Sequence, residues 1–177
     1  MSSLHPKFSH IYVERQALEH QRTEDLVKRL SKRETTKIIP ITSYTEIFNR
    51  NKQNFAIQKD VQKYILALRQ EDFLYAGSSA APDFGNTNFY YNTLVLNCLY
   101  NCEYCYLQGM FRSAHLVVFV NNETFLAETE QALQRLGEMY VCLSYDTDLL
   151  AFENLLGYCK EWIEFTRVQT GLTIEIR

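Results

Sequence analysis

Three cysteines fall within eight residues, in the segment Cys98-Leu99-Tyr100-Asn101-Cys102-Glu103-Tyr104-Cys105. The spacing is Cys-x3-Cys-x2-Cys, and it follows a strand-like run, Tyr91-Asn92-Thr93-Leu94-Val95-Leu96. Iron–sulfur clusters are held by cysteine thiolates, and three thiolates on a four-iron cubane leave one iron without a protein ligand. An open metal position is a site for chemistry, by the logic that separates catalytic from structural zinc sites. A loop this short lets three thiolates converge with little closure entropy. Two other readings stand beside the open cluster. A zinc site would take a fourth ligand, and His115 is available ten residues on, although closed zinc sites normally use paired Cys-x2-Cys or Cys/His spacings. The third reading is three unrelated buried thiols. Cys142, inside an apolar run, and Cys159, on an apolar helix face, read as core residues, because free cysteine packs as a small hydrophobe.

The rest of the composition narrows the setting. Five cysteines in 177 residues is an odd count, and clustering of three argues for metal or redox chemistry over a secreted disulfide framework. No apolar run approaches the roughly 18 residues of a membrane helix. The start, Met1-Ser2-Ser3-Leu4-His5-Pro6-Lys7, has no apolar core for a signal peptide, so a cytoplasmic chain without a membrane partner is expected. A net charge of -3 argues against indiscriminate adhesion to nucleic acid. The charge is uneven. Lys28, Arg29, Lys32, Arg33 and Lys37 face Glu34 alone, whereas residues 121–164 carry nine acids against Arg135 and Lys160. Runs of this size read first as solvated helix faces and ends, and second as a local phosphate-contacting patch. Of the 12 tyrosines, Tyr90, Tyr91, Tyr100, Tyr104 and Tyr106 lie in or beside the cysteine loop.

The elements that must position this loop fall into two regions. Residues 1–88 read as an irregular, small α-rich N-terminal region, and residues 89–177 as a regular one. In the first, Thr23 is placed to cap a helix with Leu26, Val27 and Leu30 on its apolar face. Ile38-Ile39-Pro40-Ile41 reads as a short strand that Pro confines to an edge or an end. A second helix fits 60–70 through Val61, Tyr64, Ile65 and Leu68. Residues 76–88 are small and turn-rich and read as a connection. In the second region Val117–Val120 is extended, and Asn122 is placed to cap a helix to about Leu136. Tyr140–Ser144 is a buried strand, and Asp148 caps a long helix through Trp162 that Gly171 ends. Leu172–Ile176 is a last strand. Strand, helix, strand, helix, strand is the pattern of parallel βαβ units.

Cys-x3-Cys-x2-Cys is the radical S-adenosylmethionine (SAM) signature, and Cys98 to Gln108, CLYNCEYCYLQ, resembles the cluster loop of the spore photoproduct lyase family. Residues 12–20, YVERQALEH, resemble that family's opening, and Glu34-Thr35-Thr36 also fits. A weaker match runs from Val118 through the helix at 122–136. The resemblance covers most of this chain but the N-terminal half of a usual lyase. It implies an α/β fold: half of a radical SAM partial (β/α)6 TIM-type barrel, about three parallel strands with helices. It implies that Cys98, Cys102 and Cys105 hold a [4Fe-4S] cluster whose open iron is chelated by SAM. Reductive cleavage would then give a 5′-deoxyadenosyl radical, which in the family abstracts hydrogen from the thymine dimer lesion and repairs DNA. Tyr104 and Tyr106 match two tyrosines of the family's hydrogen-transfer relay. The implied partners are SAM, DNA with thymine photoproducts, and an electron donor such as flavodoxin or ferredoxin.

Two departures accompany the resemblance. The family keeps a hydrogen-donor cysteine in a Ser-Cys-x-Ser-Asp motif, and aligning Ser144-Tyr145-Asp146-Thr147-Asp148 to it puts Tyr145 at the cysteine. Cys142 lies three residues earlier, and an odd shift reverses facing in a strand. Ser144, Asp146 and Thr147 fall where such proteins contact SAM. The second departure is extent: the family's later SAM contacts and its DNA-binding hairpin would lie beyond residue 177. The expectations are therefore a spore photoproduct lyase-like radical SAM protein or a non-catalytic or degenerate iron–sulfur half-barrel needing a second chain. A third is a radical SAM enzyme with another substrate.

Overall fold

The computed structural model describes residues 10–31, 36–78 and 83–176. Two sheets carry the chain. The first contains β1 (His10–Glu14), β2 (Lys37–Ile41), β3 (Tyr64–Ala67), β6 (Val95–Leu96) and β7 (Leu116–Phe119), in the order β2-β1-β3-β7-β6. The second contains β4 (Tyr75–Ala76), β5 (Phe89–Tyr91), β8 (Met139–Leu143) and β9 (Leu172–Ile176), in the order β4-β5-β8-β9. All neighbours in the first sheet are parallel except β6 with β7, and all in the second except β4 with β5. Helices α1 (Gln21–Leu30), α2 (Thr45–Phe48), α3 (Phe55–Asp60), α4 (Leu107–Met110), α5 (Asn122–Leu136), α6 (Glu153–Leu156) and α7 (Tyr158–Thr166) fill the connections. Every residue of β3, β7 and β8 is buried, as parallel strands covered on both faces must be.

The residues before 88 hold the first of the two expected helices, α1, and also three parallel strands that share a sheet with β6 and β7. The helix expected over 60–70 is the strand β3. Tyr64, Ile65, Leu66 and Ala67 are all inaccessible, and a short run buried on every side has no periodicity to separate a strand from a helix. Val61, assigned to that helix face, is 54% exposed. Ile38–Ile41 is the expected edge strand, with Pro40 opposite Val13. Of the strands expected from residue 117 on, β8 and β9 pair in parallel, while β7 takes β3 as its parallel neighbour.

Several helix ends also differ. Thr23 is buried inside α1, and His20 caps it, its Nδ1 accepting from the Arg22 amide at 3.2 Å. Asn121 precedes α5, and Asn122 spends its side chain on α7: Oδ1 accepts from Trp162 Nε1 at 2.9 Å, and Nδ2 donates to Glu161 at 2.7 Å. Asp148 caps only a 3-10 turn, Leu149–Phe152. The long helix breaks at Gly157, whose φ of 72° lies in the left-handed region. Arg22 donates to the Leu156 carbonyl at 3.1 Å and to both Glu161 oxygens at 2.9 and 3.0 Å. Arg29 donates to the carbonyls of Leu155, at 2.6 Å, and Asn154. Two arginines of α1 thus satisfy the last carbonyls of α6, which no helical amide reaches. Part of the basic run at 28–37 and of the Glu34-Thr35-Thr36 match lies outside the described residues.

Candidate functional site

The strand expected over 91–96 is divided between the two sheets, and this division builds the site. β5 runs with β8 in the second sheet, the chain bends at 92–94, and β6 joins β7 in the first. Asn92 holds the bend: its carbonyl accepts from the Tyr145 amide at 3.1 Å, and its Oδ1 accepts from the Ser144 amide at 2.7 Å. The Phe119 amide donates to the Leu94 carbonyl at 3.0 Å. Asn97 then turns the chain at a φ of 68°, a conformation that asparagine tolerates better than most residues. Its Nδ2 donates to the carbonyls of Ser113 at 2.6 Å and His115 at 2.8 Å. The cysteine loop therefore starts where the amino edge of β7 meets the carboxyl edge of β8.

Cys98 is buried, and Cys102 and Cys105 are half-buried. All are free thiols. The loop is tied by its own turns, with the Cys105 amide donating to the Cys102 carbonyl at 3.0 Å and Gln108 Nε2 to the same carbonyl at 2.5 Å. Among the described residues no three His, Cys, Asp or Glu side chains are grouped as a metal site. The chemistry of the donor set nevertheless fits an iron–sulfur cluster: three free thiols on eight residues, with Lys59 close enough to feel the charge of all three. Burial pushes the Lys59 ammonium down from 10.5, and the thiols, when ionised, pull it back up. His115, the fourth ligand a zinc site would take, has its Nδ1 occupied by the Lys63 amide at 3.2 Å. Burial, and then the Lys63 charge, push it to about 4, so the imidazole is neutral at pH 7.

The remaining expected residues gather at the end of β8. Ser144 is buried at a φ of 52°, and its hydroxyl accepts from the Val95 amide at 3.0 Å. The Thr147 hydroxyl donates to the Asn97 carbonyl at 2.6 Å. Asp146 is buried and accepts from the Thr93 hydroxyl at 2.8 Å. Burial pushes its carboxyl up, partly offset by the Thr93 bond and the Arg69 guanidinium. All three side chains thus bind the segment leading into the cysteine loop. Tyr106 donates to the Tyr145 carbonyl at 3.3 Å, joining the far end of that loop to β8, while Tyr104 is 92% exposed. The Tyr145 ring lies 5.3 Å from Tyr91, which stacks on Tyr75 at 5.2 Å. Tyr75, Tyr91, Thr93, Tyr145, Asp146 and Arg69 line a cavity of about 520 Å3. Cys142 is fully buried in β8, and Cys159 is buried in α7.

Three residues that carry this arrangement have no local signal in the sequence. Lys59 donates to the Cys98 carbonyl at 2.5 Å, from 39 residues earlier. Glu14, 3% exposed, accepts from the amides of Tyr44 at 2.7 Å and Leu68 at 3.1 Å, fixing the loops after β1, β2 and β3. Arg69 sits over Tyr75 and Phe119 and lines both the 520 Å3 cavity and a neighbouring one of about 700 Å3. Only Glu14 falls within the segments that resemble a family, and there as an unspecified acid.

Two largely parallel sheets, joined at a three-cysteine loop beside an aromatic cavity, define the class: an α/β protein with a thiol-rich loop where the sheets meet. The chain belongs to the spore photoproduct lyase family, whose family model matches residues 5–173. It is similar to a spore photoproduct lyase complexed with dinucleoside spore photoproduct, at a TM-score of 0.74 and 18% identity, over 94% of this chain and 48% of that one. A double mutant of spore photoproduct lyase with bound AdoMet and dinucleoside spore photoproduct matches with a TM-score of 0.74, again at 18% identity, over 96% of this chain and 49% of that one. A single mutant reaches 0.76 at the same identity and coverage. This chain spans about half the length of those structures. No curated protein matches it. The α/β architecture expected from the resemblance is the one these structures share with it. Among the described residues no helix is long and apolar enough to cross a membrane.

Proposed function

We propose that this chain is the radical-generating portion of a radical SAM protein of the spore photoproduct lyase type. The observation that carries the proposal is the free-thiol loop of Cys98, Cys102 and Cys105, held between two sheets in a chain of that family. In this reading the three thiolates hold a [4Fe-4S] cluster and leave one iron for SAM. The cluster, when bound, supplies the electron for reductive cleavage of SAM to methionine and a 5′-deoxyadenosyl radical.

The chain's own residues position and protect. Ser144 and Thr147 bind the segment that enters the loop, and Asp146, whose carboxyl burial pushes up, accepts from the Thr93 hydroxyl of the same segment and lines the cavity in which SAM would be held. The Tyr75, Tyr91 and Tyr145 rings form an aromatic wall of the cavity beside Asp146. Tyr145, at the family's donor-cysteine position, is the hydrogen donor to the substrate radical, with Tyr106 and Tyr104 following in the relay. The relative bound to dinucleoside spore photoproduct supports a thymine photoproduct in DNA as substrate. An electron donor of flavodoxin or ferredoxin type and a cytoplasmic setting belong to the same proposal.

The test is anaerobic reconstitution with iron and sulfide, followed by reduction with dithionite in the presence of SAM. Formation of 5′-deoxyadenosine that stops in Cys102→Ala supports the proposal, and a loaded protein that leaves SAM intact contradicts it. Tyr145 in place of cysteine favours a second reading, a radical SAM protein with another substrate. SAM cleavage without conversion of dinucleoside spore photoproduct would select it.

A further inference from the structure

Lys59 is a half-buried cation whose surroundings do not neutralise it. It stands near the end of α3, whose start is fixed by Asn54 accepting from the Ile57 amide at 3.1 Å. Among the described residues it makes no ion pair with a carboxylate. Its Nζ instead donates to the Cys98 carbonyl at 2.5 Å. Gln62 donates to that same carbonyl at 3.1 Å and to the Ala114 carbonyl at 2.6 Å. Gln58 completes the bracket, accepting from the Ala114 amide at 2.9 Å and the Ser113 hydroxyl at 3.1 Å. Three side chains from one short stretch thus grip the first cysteine and the strand start beside it, and only one of them is charged.

An ammonium withdrawn from water without a counter-ion is unfavourable, so a partner anion belongs nearby. Its Nζ lies at hydrogen-bond distance from the Cys98 carbonyl, so the anion beside it would be the cluster held by Cys98, Cys102 and Cys105. A cluster held by three thiolates is negative overall, and reduction adds one more negative charge. A fixed positive charge interacts more favourably with the reduced state than with the oxidised one, and partial burial limits screening. Net charge near the cluster and hydrogen bonding around its ligands are among the factors that set such potentials.

We infer that Lys59 is a positioning residue with an electrostatic role, fixing the Cys98 backbone and biasing the bound cluster toward its reduced state. The inference rests on the three cysteines holding a [4Fe-4S] cluster. Gln62 shares the anchoring and contributes no charge, so the two residues separate the effects.

The experiment is an anaerobic redox titration, followed by electron paramagnetic resonance, of reconstituted wild type, Lys59→Gln, Lys59→Arg and Gln62→Ala, with iron content and circular dichroism on each. At a fixed ambient potential Lys59→Gln lowers the reduced-to-oxidised ratio about tenfold, a shift of about 59 mV to more negative potential for one electron. Lys59→Arg stays near wild type, and Gln62→Ala loses iron more readily without moving the potential. If Lys59→Gln folds but loses iron while Lys59→Arg keeps it, the anchoring charge is supported directly. An unchanged potential in loaded Lys59→Gln, or failure of Lys59→Arg equal to that of Lys59→Gln, overturns the inference while leaving the cluster intact. A wild-type chain that takes up no cluster overturns the underlying functional reading and the inference with it.

Discussion

Ser144, Asp146 and Thr147 each spend a polar group on the segment 93–97, so the loop that follows is held by side chains from a strand about 50 residues away. Their types and order were legible through the family motif, but their bonds were not, because those depend on where β8 ends relative to the bend at Asn92. His115 shows the opposite case. It was legible as a ligand for zinc, yet its Nδ1 accepts from the Lys63 amide. Its folded pKa of about 4 lies below the ordinary 6.5, so the unfolded chain takes up the proton first. The stability this supplies is complete above about pH 6.5 and is lost as pH falls from there toward about 4. Urea midpoints measured across that window should fall in wild type and fall less in His115→Asn. Equal falls would contradict the assignment.

Among the elements, α5 is tied to α7 through the Asn122 side chain. Asn122→Ala leaves the buried Trp162 Nε1 without an acceptor and should cost about 1–3 kcal/mol in urea unfolding. Gly157→Ala should cost about 1–2 kcal/mol through its φ of 72° alone, since a Cβ there meets nothing within 4 Å. A null result at Gly157 would mean that the break between α6 and α7 is not held in the left-handed region. The elements also show what periodicity cannot resolve. α1 and α5 have one apolar face each and were legible, with end positions off by one to three residues, because capping by His20 uses a side chain outside the usual set. β3 was read as a helix because all four of its residues are buried between β1 and β7. The break at Gly157 was missed because the apolar face of α6 continues into α7, with Leu155, Leu156, Cys159 and Trp162 all buried.

At the scale of the whole molecule, the segment 89–96 belongs to both sheets and delivers the cysteine loop to their junction. The loop itself was legible because all three cysteines are local in sequence. The sheet order was not, since β7 finds its parallel neighbour in β3, about 50 residues earlier, and that pairing is what brings Lys59 and Gln62 to Cys98. The proposed function requires this junction to hold a four-iron cluster on three thiolates. The measurement that tests it most directly is the iron and acid-labile sulfide content of the anaerobically reconstituted chain, compared with Cys98→Ala, Cys102→Ala and Cys105→Ala. Wild type should hold four irons and four sulfides per chain, as the [4Fe-4S] formula requires, and each variant less. Wild type that retains no iron, or that binds a single zinc and no sulfide, would contradict it.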